Sequence, residues 1–275
     1  MTIHFHGSPI WGDKGRIARI AHRGSGAFVS FERPDQIKLA FDVADTVCID
    51  NGAFSKWKSG KVQDWREFYF NFLPDWFDNP KLRFFVIPDD ITGSAEDNDK
   101  LISQLPSDLK SKAAPVWHMH EPISRLISLC EKWDWVCMGS SGEFATVRSS
   151  KWKQRISEAF SAVKESQVDV KLHGLRMLDG RVLGNYPLNS ADSTNLACNV
   201  PKYLAINKVV TIEACRRSIH KDKWIDTDDV KQAVDQCLSK GGSKSDILAE
   251  RCAILKNCVE SVKPPKISEW NSTNC

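Results

Sequence analysis

Eight short apolar runs, each ending in small or polar residues, recur along the chain up to residue 193. They are IHFHG (3–7), AFVSF (27–31), TVCIDNGA (46–53), FFVIPDD (84–90), PVWHMH (115–120), WVCMGSSG (135–142), VKLHGL (170–175) and PLNSADS (187–193). They are short and rich in β-branched and aromatic residues, so they predict strands covered on both faces. Amphipathic stretches lie between them: RPDQIKLAFDVA, DWREFYFNFLPDWF, EDNDKLISQLP, EPISRLISLCEKW and SSKWKQRISEAFSAVKES. Pro106 and Pro122 fall at a helix end and a helix start, where proline is tolerated. The seventh connection, RMLDGRVLGNY, has room for one helical turn. This alternation predicts parallel βα units, and eight of them close a (β/α)8 TIM-like barrel. An open doubly wound sheet is the alternative. It would usually carry a Gly-rich phosphate loop after the first strand, and HGSPIWGDKG lacks that spacing.

From about residue 200 the strand rhythm stops. DTDDVKQAVDQCLSK and SDILAERCAILKNCVESV read as helices separated by GGSK, and KPPKISEWNSTNC reads as a proline-broken tail. The expected organisation is a catalytic barrel over 1–199 with a C-terminal helical extension, 200–275, packed on it. A chain of 275 residues with 41% hydrophobic content can bury one large core. No apolar run approaches the ~20 residues of a membrane helix. MTIHFHGSPIWGDKG has no basic region followed by a long apolar stretch, so a cytoplasmic protein is expected. The nine cysteines form no CxxC pair. Cys215 and His220 in CRRSIH come nearest to a ligand pair, short of the four ligands of a structural zinc site. Neither metal nor cofactor is expected.

Net charge is only +3, but basic residues cluster at 12–24, 148–155 and 215–224, the last two around a tryptophan. Such clusters suit a polyanion; a solvated face is the ordinary reading of any one of them. Arg148, Lys151, Lys153 and Arg155 are the candidates for contacting a nucleic-acid backbone.

In a βα barrel the active site lies at the C-terminal strand ends. Those ends here supply Asp50 and Asn51, Asp89 and Asp90, then His118, His120 and Glu121. Gly139, Ser140, Ser141 and Glu143 follow, then His173 and Arg176, then Asp192 and Ser193. A strand ending in Asp is usually a loop cap. Many acids converging on one rim is a different matter, because like charges there raise one another's pKa. Asp192 lies among Ser190, Ser193 and Thr194, with no Lys or Arg in that stretch. A carboxylate free to stay ionised can stabilise or capture an oxocarbenium-like sugar at C1′. A second carboxyl, Asp50, can protonate the leaving base, the two-carboxylate arrangement of sugar chemistry.

Five segments, in order, resemble the tRNA-guanine transglycosylase superfamily. CIDNGAFSKW is similar to its Asp followed by small residues and an aromatic. VIPDD resembles its strand ending in a base-recognising Asp, and MGSSGEF its loop ending in Gly-Glu. LHGLRM resembles its Leu-Gly segment, and NSADST falls where the nucleophilic Asp occurs. The Ser-x-Asp-Ser-Thr form resembles the phage and bacterial branch that exchanges guanine in DNA for a 7-deazaguanine. The resemblance implies Asp192 as nucleophile, Asp50 as general acid/base, Asp89 or Asp90 on the base edge, and Gly139 and Ser140 offering backbone groups to it. The zinc motif and the Pro-Thr-Arg after the nucleophile, both features of the tRNA enzymes, have no counterpart here, so DNA is expected over tRNA.

The expected activity is therefore a DNA glycosylase that excises a modified base and leaves an abasic site. The base would be flipped out against Phe54 or Trp117, with Asn51, His118, His120, Glu143, His173 and Arg176 as further contacts. Exchange with a free 7-deazaguanine is the alternative. Two other classes stand beside these: a non-catalytic nucleic-acid-binding barrel, and a metal-dependent barrel hydrolase using HFH (4–6) or WHMH (117–120).

Overall fold

The computed structural model describes residues 2–8, 10, 14–60, 64–194, 196–197, 232 and 235–272. Nine parallel strands form a nearly closed barrel with helices outside it, an α/β TIM-like (β/α)8 barrel with a helical C-terminal region. In chain order the strands are β1 (Ile3–Gly7), β2 (Gly26–Ser30), β3 (Thr46–Asp50), β4 (Leu82–Val86), β5 (Ala113–Ala114), β6 (Val116–His118), β7 (Trp135–Gly139), β8 (Lys171–Gly174) and β9 (Ser190–Ser193). The count exceeds eight because Pro115 splits the fifth segment into β5 and β6. Proline has no N–H for the ladder, but its carbonyl still accepts from Cys137 N at 2.8 Å, and Ala114 O accepts from Ile87 N at 2.9 Å.

The two-residue repeat of a strand decides which side chains enter the barrel. Phe5, Phe28, Cys48, Phe84, Val86, Val116 and Cys137 point inward and pack together. Alternate residues, such as Val29, Ile49 and Phe85, point outward into the helix layer. The outer layer contains α1 (Lys14–His22), α2 (Pro34–Val43), α3 (Ala53–Ser59), α4 (Pro74–Phe77), α5 (Ala95–Ser103), α6 (Ile123–Cys130), α7 (Ser150–Ser166), α8 (Gly180–Leu183) and α9 (Lys244–Glu260).

Three of these differ from the sequence expectation. The basic stretch 12–24 contains α1, whose Ile17, Ala18 and Ala21 pack on Leu248, Cys252 and Leu255 of α9. Arg16 of that cluster pairs with Asp246 at 2.7 Å. The third run, expected over 46–53, ends as a strand at Asp50, and Ala53–Ser59 form the helix α3, because Gly52 turns the chain at φ 80°. The single helix expected over 64–77 is a π-helical turn (Glu67–Phe72), with Leu73 N reaching Phe68 O, followed by α4 starting at Pro74.

The helix expected over SDILAERCAILKNCVESV is α9, opened by a reciprocal Ser243–Asp246 cap. The tail after it is packed down: Trp270 joins the rings of Phe160 and Tyr186 and donates to Asn185 O. Much of DTDDVKQAVDQCLSK, and the whole cluster 215–224, lie outside the described residues. No helix among the described residues is long and apolar enough to cross a membrane.

Candidate active site

The last inward-facing residues of the strands make the floor of a pocket of about 180 Å³ at the C-terminal mouth. Asp50, His118, Gly139 and Asp192 are four of them, and Ser30 and Gly7 are two more. Strand pairing places Ser30 beside Asp50 and His118 beside Gly139. The loops add Asn51, Phe54, Asp89, Ser140, Arg176 and Thr194 to the walls. Three carboxylates thus meet in one mouth.

Asp192 is almost completely buried, at 4% exposure. Its Oδ1 accepts the backbone N–H of Arg176 at 2.8 Å and lies 3.3 Å from His173 Nε2. His173 is fully buried one layer below the floor. Its Nδ1 is 2.8 Å from Ser190 Oγ, and its ring stacks on Phe28 with centroids 5.1 Å apart. It therefore supports Asp192 from inside the barrel and does not line the pocket.

Asp50 is in a different state. Desolvation in the mouth, reinforced by the charges of Asp192 and Asp89, raises its pKa from 3.8 to about 7. Hydrogen bonds from Gly52 N and Ser30 oppose that rise without cancelling it. At neutral pH one carboxyl of this site is thus poised to give or take a proton.

A polar wall stands across from them. Asn51 donates to Asp89 Oδ1 and to Ile87 O, each at 2.7 Å, and its own oxygen accepts from Ala53 N. His118 Nε2 is 3.0 Å from Asp89 Oδ2 but is not aligned for a hydrogen bond, and its Nδ1 has no partner either. A Cβ at Gly139 would come within 3.1 Å of His118 Nδ1, so glycine leaves that ring its place. Above the pocket, the Arg176 guanidinium lies 4.2 Å from the centroid of the Phe54 ring, a cation–π contact. Arg176 also donates to Ser140 O, from a backbone held at φ 59°.

Other expected site residues fall elsewhere. Asp90 is exposed and caps its own turn by accepting from Thr92 N and Gly93 N. His120 is tied to Ser141 Oγ and Gly93 O outside the pocket lining. Glu143 is exposed and pairs with Lys151 at 2.6 Å. Glu121 is buried under Arg125 and His118 N, where it holds the loop after β6. Trp117 points into the outer core, fully buried, and donates to Pro122 O. Of the two aromatics expected to stack on a base, only Phe54 faces the mouth.

The cluster 148–155 is largely engaged. Arg155 donates to Met119 O and Glu121 O and lies over Trp117, while Arg148 sits 3.5 Å from Asp179. Lys153 is exposed. The HFH of β1 faces the wrong way for a metal at the mouth. His6 Nε2 bonds Glu260 of α9 at 2.8 Å, on the outside of the barrel. Among the described residues, no group of three His, Cys, Asp or Glu side chains is placed to hold a metal ion. Cys48 and Cys137 face the barrel interior, where burial pushes both thiols well up.

Ser30, Gly7 and Thr194 line the pocket without having been expected there. Extending the two-residue repeat to the first two strands finds the first two of them. No family model matches the chain, and no curated protein matches it.

Proposed function

We propose that the protein cleaves N-glycosidic bonds in nucleic acid, as a DNA glycosylase that excises a modified base and leaves an abasic site. The observation that carries this reading is the pairing of two unlike carboxyls in one mouth: Asp192, oriented by a backbone N–H, and Asp50, with a pKa near 7. Sugar chemistry needs that difference, one group to meet positive charge at C1′ and one to move a proton.

The bond between C1′ and the base nitrogen breaks with its electron pair going to the base. Asp50, protonated, gives that nitrogen its proton. The Asp192 carboxylate meets the developing charge at C1′ from the floor. A water then adds to C1′ and loses a proton to Asp50, which restores both groups. The edge of the departing base lies against Asn51, Asp89 and His118, whose unpartnered ring nitrogens suit a ligand contact. Phe54 stacks on its face. His173 is a positioning residue that holds Asp192 from below.

The resemblance to the DNA-acting transglycosylase branch rests on this same set of positions, and exchange with a free 7-deazaguanine is the competing outcome. The test is to incubate the protein with DNA carrying ordinary or modified bases, with and without free 7-deazaguanine. Released bases are followed by mass spectrometry and abasic sites by alkaline cleavage. Free base with alkali-labile sites and no added cosubstrate is expected. Release that needs the incoming base and leaves the strand alkali-resistant replaces hydrolysis by exchange. Loss of no base from any DNA or RNA overturns the catalytic reading.

A further inference from the structure

The helix α3 forms one wall of the mouth and carries more than the pocket uses. It is bounded by two glycines in the left-handed region, Gly52 at φ 80° and Gly60 at φ 66°. Phe54 faces the pocket, and one turn later Trp57 is 53% exposed, with its ring centroid 5.7 Å from that of Phe54. Among the described residues, Trp117, Trp152 and Trp270 are by contrast buried. The same helix carries Lys56 and Lys58 and no acid. Lys56 is 3.2 Å from Glu32, whereas Lys58 is exposed and has no ion-pair partner among the described residues. Arg176, over Phe54, adds positive charge at the same rim.

We infer that α3 is the docking face for the nucleic-acid strand, with the nucleotide next to the flipped one stacked on Trp57 and its phosphate at Lys58. The inference rests on the glycosidic reading of the mouth and adds to it where the strand runs. An aromatic platform beside a free cation is how single strands are held without sequence readout, and Lys58 with the positive rim complements a phosphate chain. The cluster 148–155, mostly engaged within the protein, does not offer the same combination.

Fluorescein-labelled hexadeoxynucleotides and the matching free nucleoside serve as probes for the wild type, Trp57→Ala, Trp57→Phe and Lys58→Gln. Trp57→Ala should weaken the oligonucleotide by about 5–100-fold and leave nucleoside affinity in place, while Trp57→Phe should retain most of the binding. Lys58→Gln should lower the salt slope by about one unit. Oligonucleotide binding by Trp57→Ala equal to wild type overturns the inference. So does equal weakening of nucleoside and oligonucleotide, which would put Trp57 in the base pocket. An exposed Trp57 that serves a protein partner gives the first of these results. Base release measured on the same samples separates the two readings. Trp57-dependent binding with no base released sinks only the catalysis, and base release indifferent to Trp57 sinks only the docking face.

Discussion

Two clusters of buried ionisable groups lie on opposite sides of the barrel wall, and they are built on opposite rules. In the mouth, Asp50, Asp89 and Asp192 gather like charge, and Asp50 is raised to about 7. On the outer face of β1, His4, His6, His22, Ser25, Lys256 and Glu260 gather unlike groups under α9. Glu260 bonds His6 and Ser25, and Lys256 donates to Ile20 O and Arg23 O. Burial would raise the Glu260 carboxyl, but its hydrogen bonds outweigh that and lower it. Burial lowers His4, His6 and His22, the last to about 3. The outer cluster pairs Glu260 with His6 and Ser25 and fastens a helix, while His4 Nε2 and His22 Nδ1 stay without a hydrogen bond. The mouth leaves its members in conflict, a cost that reactive sites bear.

The pH linkages have opposite signs. Asp50 binds its proton more tightly folded than unfolded, so its contribution to stability is greatest below about 4 and is lost as pH rises through 7. The histidines bind theirs less tightly folded, so their contribution is intact above about 6.5 and lost as pH falls below that value.

The largest expected effect breaks the mouth. Asp192→Asn should abolish base release, and Asp50→Asn should slow it on the order of 10²–10⁴-fold, with both variants folded. Near-wild-type single-turnover release by Asp192→Asn would remove it from the chemistry. For wild type, single-turnover release should fall as pH rises above about 7, where Asp50 loses its proton. A flat profile from pH 6 to 9 would reassign the acid.

The same Asp50→Asn should stabilise the fold at pH 8, by at most about 4 kcal/mol, and by little at pH 4. Urea unfolding at the two pH values measures it; equal stability at pH 8 would mean that the carboxyls are not in conflict. Glu260→Gln should do the reverse. It should cost about 1–3 kcal/mol at pH 7, because it weakens the partner of His6 and Ser25, while release per folded molecule stays as it was. A variant as stable as wild type would make the outer cluster incidental.

The smallest effect sharpens the comparison at its border. His173→Phe keeps a ring on Phe28 but removes both nitrogens beneath Asp192. Release should slow about tenfold, the scale of one lost polar contact, and the fall of release with rising pH should move. A slower rate with an unmoved profile would leave His173 as packing alone.

The barrel was legible because buried parallel strands must be short and apolar, and the eight runs have nothing else in common. Their ends were less legible. NGA and PDD follow strands three and four without a visible break, but the strands end at Asp50 and Val86, and Gly52 turns the chain at φ 80°. Helix α1 was hidden because its exposed face is basic and drew attention as a charge cluster. Asp50, Asn51, Asp89, His118 and Asp192 were found by reading strand ends. Asp90, His120 and Glu143 were gathered with them because reading ends alone ignores which way each side chain points. Ser30 was passed over because the reading of ends began at the third strand. The contact between Arg176 and Phe54 has no local signature, since it joins a loop to helix α3 through a backbone at φ 59° that arginine seldom adopts.

Pro115 gives the barrel a seam. Strand β4 meets only Ala113 and Ala114, while β6 bonds only β7 on its other side. This is the wall with fewest ladder bonds, so thermal opening should start here. The Ile87 amide should then exchange with solvent sooner than that of Val47, in the continuous ladder from β2 to β4. Asp89 and His118 face each other across that same wall, 3.0 Å apart. A bulky ligand entering the mouth would therefore meet its most yielding side at Asp89 and His118.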